Sequence, residues 1–526
     1  MQTVPMRGDE AAQTRDFIQS LCGEFQKHNY IDPSYYEHID VKRGLRNADG
    51  TGVMAGITQI GNVQGYYIQD GERVPMEGRL IYRGISIEDL IHGFMSEGRF
   101  GFEETAYLLL FGALPTRKEL ADFNHVLSEL RPLPPNFTED MILRVPGRDI
   151  MNRLGRCILA LYCYDEDPEG RSLENELRQA LQLVARCPMI IAHSYAAKRH
   201  YFDNDSLYLH RPQEGLSFAE NFLYAMRHDN RFTEREAKLL DLCMVVHAEH
   251  GGGNNSAFAC RVLSSSGTDI YAAVSAAVGS LKGPRHGGAN KKVMEMFRYI
   301  QEGVRDWKDD GQVRDFLLKL QRKEAGDRSG LIYGMGHAIY TLSDPRAKLL
   351  KQFAKTLADE KGMLEEFELV EAVERLAPEV INGSRGVPKP LCANLDLYSG
   401  LVYRMLDIPE ELYTPLFAMA RMVGWCAHRV EEVYNPGNKI IRPAYKAVAP
   451  LQKFIPLDER GGRRQKARIP LYNGMRAFCQ KISCSIERNG ICAGRQGFPY
   501  RSFSAASSMA SLPDRCSTAS STMHTC

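Results

Sequence analysis

The chain has 526 residues, of which 44% are hydrophobic and 25% are charged. These values are ordinary for a folded protein, so they exclude a wholly disordered chain, and the length favours two domains over one. Lys and Arg total 66 against 65 Asp and Glu, a net charge of +1 that gives no reason to expect nucleic-acid binding.

The N-terminal segment, residues 1–60, begins with a polar stretch of mixed charge. It lacks the basic start and apolar run of a secretory signal. No uncharged apolar run has the length of a membrane span, so we expect a soluble protein with no membrane partner. Thirteen cysteines lie at irregular spacings without a Cys-x-x-Cys pair, which indicates reduced thiols and a cytoplasmic location.

The body of the chain has mostly helical patterns, and its best strand signal runs from Ile57 to Ile68. Asp269 is expected to cap an alanine-rich helix, Ile270 to Leu281, which Gly283 and Pro284 end. A helix with one buried face is predicted by the i, i+3, i+4, i+7 spacing of Val313, Phe316, Leu317 and Leu320. These patterns predict an all-α protein, with a few short strands near the N-terminus.

One predicted helix is apolar on nearly all sides. Thr414 and Pro415 form an N-cap and N1 pair, and the residues from Leu412 to Ala427 contain a single charge, Arg421. Such a helix is expected to be buried, and an arginine inside it requires an anion. A buried Asp or Glu and the carboxylate of a ligand are both consistent with this pattern.

Four short segments carry the chemistry of this chain. They are the segments His250-Gly-Gly-Gly-Asn254, Gly283-Pro-Arg-His286, Gly334-Met-Gly-His-Ala338 with the following Asp344-Pro-Arg346, and Asn394-Leu-Asp396. They include three histidines, a carboxylate and an arginine, each beside glycine, proline or a turn. This inventory suits a reaction that needs a base, hydrogen-bond donors and an anion clamp.

His250 alone has several interpretations. His247 and His250 flank Glu249, but the His-Glu-x-x-His pattern of a metal site is absent. The glycine loop also resembles the oxyanion loop of esterases, but no Gly-x-Ser-x-Gly elbow accompanies it. A histidine that only caps a turn is the remaining structural interpretation. The glycines of Gly334-Met-Gly likewise lack the third glycine of a Rossmann fingerprint.

The order and spacing of the four segments resemble the citrate synthase family, which includes the bacterial citrate and 2-methylcitrate synthases. The resemblance runs from Tyr82-Arg83-Gly84 to Arg442-Pro443. It implies an all-α fold with a large helical domain, residues 61–287 and 408–457, and an inserted small helical domain, residues 288–407. It also implies a homodimer in which Arg442 of one subunit completes the active site of the other.

The resemblance implies condensation of acetyl-CoA with oxaloacetate to citrate and CoA, with no metal and no bound cofactor. His286 would hydrogen-bond the thioester carbonyl, His337 would polarise the ketone, and Asp396 would be the general base. The residues implied to contact oxaloacetate are His250, Asn254, Arg346, Arg421 and Arg442. Close approach of the coenzyme is implied at Gly334, Gly336 and Ala338.

Two alternatives stay open within this resemblance. The acyl donor could be propionyl-CoA, because one methylene in an apolar pocket changes specificity by only about 1 to 3 kcal/mol. The chain could also be a non-catalytic regulator that keeps the family fold, although every matched catalytic residue is retained.

The C-terminal tail, residues 458–526, lies outside the resemblance. Its eleven Lys and Arg against four Asp and Glu give it a charge of +7, which leaves −6 for residues 1–457. Ser, Thr, Ala and Gly dominate from Ser502 onward. We therefore predict a solvated or disordered basic tail, since aromatic residues are too sparse to favour nucleic-acid binding.

Overall fold

The structure is a computed structural model that describes residues 8–383, 389–435, 437 and 439–460. It divides into two compact units, Met1–Pro443 and Ala444–Cys526. The basic tail predicted to be disordered lies outside the described residues from residue 461 onward. The division of the body at residues 287/288 and 407/408 stays a prediction. Among the described helices, none is long and apolar enough to cross a membrane.

Helices dominate the described residues, which agrees with the predicted all-α class. The first nine helices are α1 (Gly8–His28), α2 (Tyr35–His38), α3 (Ile87–Ser96), α4 (Phe102–Phe111), α5 (Arg117–Leu130), α6 (Ile150–Ala160), α7 (Leu173–Asp203), α8 (Phe218–Met226) and α9 (Glu234–His247). The next eight are α10 (Asn255–Ser265), α11 (Ile270–Lys282), α12 (Ala289–Gly303), α13 (Asp310–Gln321), α14 (Pro345–Glu360), α15 (Leu364–Gly383), α16 (Asp396–Met405) and α17 (Tyr413–Tyr434).

One small antiparallel sheet lies near the N-terminus, with the strands in the order β1 (Gly61–Gln69), β2 (Glu72–Tyr82) and β3 (Ile85–Ser86). The predicted strand signal began at Ile57, whereas β1 begins at Gly61. The backbone N–H of Gln59 donates to the carboxylate of Glu431 at 2.8 Å, so this part of the chain is tied to α17 rather than paired with β2.

Two predicted helices are confirmed by their caps and buried faces. Asp269 accepts a hydrogen bond from the backbone N–H of Ala272 at 2.8 Å and caps α11. In α13, the side chains at the predicted helical spacing are all buried, namely Val313, Phe316, Leu317 and Leu320. Both features depend on residues that lie only three to seven positions apart in the sequence.

The apolar helix predicted around Arg421 is α17, and it passes through the core of the first unit. It packs against α4, α7, α9, α10 and α11, and its residues from Leu416 to Arg429 are buried except for Phe417, which is partly buried. Its predicted start was wrong, because a 3₁₀ turn at Glu410–Leu412 leads directly into Tyr413. Thr414 therefore lies inside the first turn, and its hydroxyl donates to the carbonyl of Gly287 at 3.0 Å instead of capping the helix.

Candidate active site

The loop after α9 places His250 against the core. Gly251 has φ +83°, a left-handed conformation that allows the sharp turn out of α9. Its backbone N–H donates to the carboxylate of Glu249 at 2.5 Å. His250 is 7% exposed, and its Nε2 atom has no hydrogen-bond partner among the described residues. Burial lowers the pKa of His250 well below its usual range, so the ring is neutral at physiological pH.

Two segments 58 residues apart, which lead into His337 and Asp396, pair with each other. The backbone N–H of Gly336 donates to the carbonyl of Cys392 at 2.7 Å, and the N–H of Asn394 donates to the carbonyl of Gly334 at 2.9 Å. The Asn394 side chain adds a bond from Nδ2 to the Gly336 carbonyl at 2.8 Å and accepts from the N–H of Asp396 at 3.0 Å. This pairing fixes the two segments in register.

The glycines of this pairing have packing reasons of their own. Gly334 and Gly336 both have positive φ, +82° and +87°. A Cβ atom at Gly334 would lie 2.8 Å from the side chain of Leu397, and one at Gly336 would lie 3.0 Å from the side chain of Leu391. Ala338 is exposed. The contact of these residues with acyl-CoA stays a prediction.

His337 is held in one tautomer by its own loop. Its Nδ1 atom accepts hydrogen bonds from the backbone N–H groups of Ile339 and Tyr340, both at 3.1 Å. Burial lowers the pKa of His337 to about 4, so the ring is neutral and its single proton is on Nε2. The ring stacks on Tyr340 with centroids 4.5 Å apart and meets His250 edge-on at 5.1 Å. Its free nitrogen is therefore a neutral donor.

Arg346 is oriented by a buried carboxylate. Its Nε and Nη2 atoms donate to the two oxygens of Asp344 at 3.0 and 2.8 Å. Asp344 also accepts from the backbone N–H of Arg346 at the start of α14 and from that of Leu395 at 3.2 Å. Burial is the largest single effect on the pKa of Arg346 and lowers it, but the charge and hydrogen bonds of Asp344 together with the nearby tyrosine phenols outweigh burial and raise that pKa. The pair is ionised and rigid.

Asp396 is the first residue of α16 and lies close to this ion pair. Loss of water around its carboxyl group raises its pKa to about 6, and the charge of Arg346 offsets only part of this rise. The residue is still a carboxylate at neutral pH, but it binds a proton far more strongly than an exposed aspartate. A carboxylate of this kind is suited to general-base chemistry.

Arg421 presents two unpaired hydrogen-bond donors to the same cluster. It is 0% exposed, and its Nε atom donates to the carbonyl of His247 at 2.5 Å. Its Nη1 and Nη2 atoms have no acceptor among the described residues. Burial lowers its pKa to about 10, which still leaves the group charged at neutral pH. The two free nitrogens match the two oxygens of a ligand carboxylate.

The segment after α11 carries His286, which is half-buried. Its Nε2 atom lies 3.0 Å from the hydroxyl of Ser256, which also accepts from the indole N–H of Trp425 at 3.1 Å. The oxygen Oδ1 of Asn254 lies 3.0 Å from the same hydroxyl. Burial lowers the pKa of His286 to about 4. The structure thus gives His286 a neutral ring that is held at one nitrogen.

A buried polar chain supports the His250 loop from behind. His428 is 0% exposed, and its Nδ1 atom accepts from Arg261 Nη2 at 2.7 Å. Its other nitrogen, Nε2, therefore carries the proton and donates to Glu249 at 2.9 Å. Glu249 in turn lies close enough to Arg421 to interact with its charge. The chain links the core helix α17 to the loop that carries His250.

The structure brings most of the predicted site residues into one cluster. The electrostatic neighbours of the His250 ring are Arg346, His337, Arg421 and His286, and Asp396 interacts with Arg346. Arg442 stays apart, because it is exposed and makes no hydrogen bond or ion pair with another described residue. Nothing in the single chain places Arg442 in the site.

Several residues of the cluster were not predicted. Asp344 stood in the quoted Asp-Pro-Arg segment, and the proline after it was a detectable helix-start signal. The other unpredicted residues contact residues that are distant in sequence; they are Tyr340, Glu249, Ser256, Trp425 and His428. Within the described residues, no group of three or more His, Cys, Asp or Glu side chains is arranged to hold a metal ion.

Comparison with known proteins shows the family of the chain. The family model described as "Citrate synthase, C-terminal domain" matches residues 48–444. The citrate synthase of Synechocystis sp. is 35% identical over 395 residues, which cover 73% of this chain and 89% of the relative. The 2-methylcitrate synthase of Shewanella oneidensis is 34% identical over 388 residues, which cover 72% of this chain and 92% of the relative.

Among solved structures, one similar chain is the citrate synthase of the archaeon Thermoplasma acidophilum in a ternary complex with carboxymethyl coenzyme A and oxaloacetate. Its TM-score is 0.64 at 25% identity, and the match covers 80% of this chain and 99% of that one. The helical fold, the histidine and arginine cluster and the match over residues 48–444 together show that the chain belongs to the citrate synthase family.

Proposed function

We propose that the chain catalyses the condensation of acetyl-CoA with oxaloacetate to give citrate and CoA. One observation carries the proposal. A buried arginine with two unpaired nitrogens, a neutral histidine donor and a carboxylate of raised pKa lie in one cluster, namely Arg421, His337 and Asp396. The solved relative bound to oxaloacetate and a coenzyme A derivative supports the same substrates.

Oxaloacetate is a dicarboxylate, and the cluster offers two guanidinium groups for it. Arg421 has two nitrogens without acceptors, and Arg346 is oriented by Asp344. His250 Nε2 is a further buried polar atom without a partner. Unpaired buried polar groups are costly, so a bound carboxylate would remove the penalty of leaving these donors without acceptors.

Enolisation of the thioester is the difficult step. The carboxylate of Asp396 would remove a proton from the methyl group of acetyl-CoA, while negative charge develops on the thioester oxygen. A neutral donor placed at that oxygen stabilises the enolate, and we assign this role to His286. The enol carbon then attacks the ketone carbon of oxaloacetate, and water hydrolyses the resulting citryl thioester to release CoA.

The role of His286 sets a requirement on Ser256. If His286 donates from Nδ1, its Nε2 atom must be an acceptor. Ser256 has one hydroxyl proton, and it lies 3.0 Å from both His286 Nε2 and Asn254 Oδ1. The proposed step therefore requires that Ser256 donates to His286, with the Asn254 amide turned so that its NH₂ group donates to Ser256.

His337 would act on the ketone oxygen. Its Nδ1 atom is occupied by two backbone N–H groups, so Nε2–H is its only donor. A hydrogen bond from this nitrogen polarises the carbonyl and stabilises the negative charge that forms on its oxygen during attack. The low pKa of His337, about 4, keeps this donor neutral throughout the physiological range.

The acyl donor has one competing candidate, propionyl-CoA, since a 2-methylcitrate synthase is among the similar relatives. We propose acetyl-CoA as the preferred donor and no bound cofactor. A thiol-release assay with oxaloacetate and each acyl-CoA separates the two reactions. Absence of thiol release with both would instead support a non-catalytic regulator.

We further propose a cytoplasmic homodimer. The eight cysteines in the described part of the chain are all free thiols, as expected in a reducing compartment. Arg442 is exposed on the single chain although the family resemblance gives it a substrate carboxylate. A contribution of Arg442 to the site of a second subunit reconciles the two observations.

Replacement of the proposed base should separate turnover from binding. Asp396→Asn keeps the shape of the side chain but removes the base, so we expect turnover to fall by about 10² to 10⁴ while oxaloacetate still binds. The matched control is Asp407→Asn, because the Asp407 side chain lies just after α16 and is 74% exposed. More than a tenth of wild-type turnover in Asp396→Asn would contradict the assignment.

The raised pKa of Asp396 predicts an acid limb in the rate profile. The carboxylate is the active form, so kcat/KM for acetyl-CoA should be constant above neutral pH and fall tenfold per pH unit below about 6. The histidines of the cluster, with a pKa of about 4 for His286 and for His337, stay neutral over that range. An acid limb near pH 4 would contradict the predicted environment of Asp396.

Mixed dimers test the role of Arg442. Homodimers of Asp396→Ala and of Arg442→Ala should both be nearly inactive. If Arg442 serves the partner's site, one site of a mixed dimer collects both defects and the other is intact, so activity should return to about half of wild type. Mixing restores nothing if Arg442 acts within its own subunit, and purified tagged heterodimers distinguish the two outcomes.

A further inference from the structure

One buried hydroxyl beside the cluster has no role in the steps above. Tyr340 follows His337 by three residues and is 2% exposed. Its Oη atom has no hydrogen-bond partner among the described residues. Buried tyrosine hydroxyls usually find a partner, and an unpaired one costs free energy. The missing partner needs an explanation.

The Tyr340 ring is held on three sides. It stacks on His337 with an interplanar angle of 24° and meets His250 edge-on, with centroids 5.6 Å apart. On the third side it touches the backbone of β2, where a Cβ atom at Gly78 would lie 2.8 Å from the ring. The hydroxyl is therefore directed by packing and has little freedom to turn elsewhere.

Two guanidinium groups lie near the hydroxyl, and the carboxylate of Asp344, also a neighbour, already accepts hydrogen bonds from Arg346 and Leu395. The phenol interacts electrostatically with both Arg346 and Arg421, and the Arg346 guanidinium carbon lies 5.5 Å from the ring centroid. Guanidinium groups have no acceptor to offer. Burial also raises the pKa of the Tyr340 phenol, which keeps it protonated and able to donate. The phenol hydroxyl and the terminal nitrogens of Arg421 are thus all donors without a hydrogen-bond acceptor among the described residues.

We propose that Tyr340 donates a hydrogen bond to a carboxylate oxygen of oxaloacetate, and so recognises this substrate together with Arg346 and Arg421. The inference rests on the proposed function, because it assumes that a dicarboxylate occupies the cluster. An anion in this position would satisfy the hydroxyl and the two free nitrogens of Arg421 at once. Tyr340 would then be a substrate-binding residue with no part in proton transfer.

The substitution Tyr340→Phe isolates the hydroxyl. The backbone N–H of Tyr340 still donates to His337, so the tautomer of that histidine is unchanged. The matched control is Tyr271→Phe, since Tyr271 is 1% exposed but its hydroxyl donates to Asp165 at 2.5 Å. Both variants lose a tyrosine hydroxyl. That of Tyr340 has no hydrogen-bond partner among the described residues, whereas that of Tyr271 donates to Asp165.

Two measurements are needed, the Kd of oxaloacetate by calorimetry and the Tm of the ligand-free protein. Tyr340→Phe should raise the Kd roughly 10- to 100-fold, the usual effect of losing a hydrogen bond to a charged group, and leave the Tm unchanged or higher. Tyr271→Phe should leave the Kd unchanged and lower the Tm. The pH profile of kcat/KM should be the same in both variants.

If the wild type binds oxaloacetate normally, either of two results would overturn the role of Tyr340 and leave the proposed function standing. One is an unchanged Kd in Tyr340→Phe. The other is a loss of Tm as large as that of Tyr271→Phe, which would show that the hydroxyl has a partner within the protein. A wild-type chain that does not bind oxaloacetate would overturn the proposed function, and this inference with it.

Discussion

The site depends on one constraint, an arginine buried in an apolar helix without a full set of acceptors. Helix α17 carries two fully buried arginines, Arg421 and Arg429. Arg429 donates to both carboxylate oxygens of Glu176 at 3.1 and 2.9 Å, whereas both terminal nitrogens of Arg421 have no acceptor among the described residues. Glu249 interacts with the charge of Arg421 but does not accept a hydrogen bond from these nitrogens, and unsatisfied buried donors cost stability, so their persistence indicates a ligand that accepts from them.

The rest of the site is arranged around that charge by contacts between distant segments. The pairing of residues 334–336 with residues 392–394 joins the segments that carry His337 and Asp396, and both side chains interact with the Arg346–Asp344 pair. The β1–β2 hairpin supports the same loop, where the hydroxyl of Thr341 donates to the carbonyl of Gly65 at 2.8 Å. Burial of the site then shifts the pKa values of its residues, because exclusion of water keeps the histidines neutral and makes Asp396 a stronger base. Burial therefore serves both recognition and catalysis.

Local patterns predicted the features that local physics decides. The cap at Asp269 and the buried face of α13 depend on neighbours within two helical turns, and both are confirmed. The start of α17 was misjudged, because Thr414 bonds to Gly287, which is 127 residues away. Tyr340 and His428 escaped prediction for the same reason, since only the folded chain shows that one hydroxyl lacks a partner and that one ring joins Arg261 to Glu249. The family resemblance supplied the candidate roles that spacing alone left open.

The most direct test compares the two arginines of α17. In thermal unfolding with and without oxaloacetate, Arg421→Met should abolish stabilisation by oxaloacetate. It should lower the ligand-free Tm much less than Arg429→Met does, because the terminal nitrogens of Arg421 have no acceptor among the described residues. Arg429→Met breaks the buried pair with Glu176, so it should cost about 3 to 5 kcal/mol while oxaloacetate still stabilises the folded protein. A large loss of Tm in Arg421→Met, or stabilisation by oxaloacetate equal to that of the wild type, would contradict the claim that this arginine is held for the substrate.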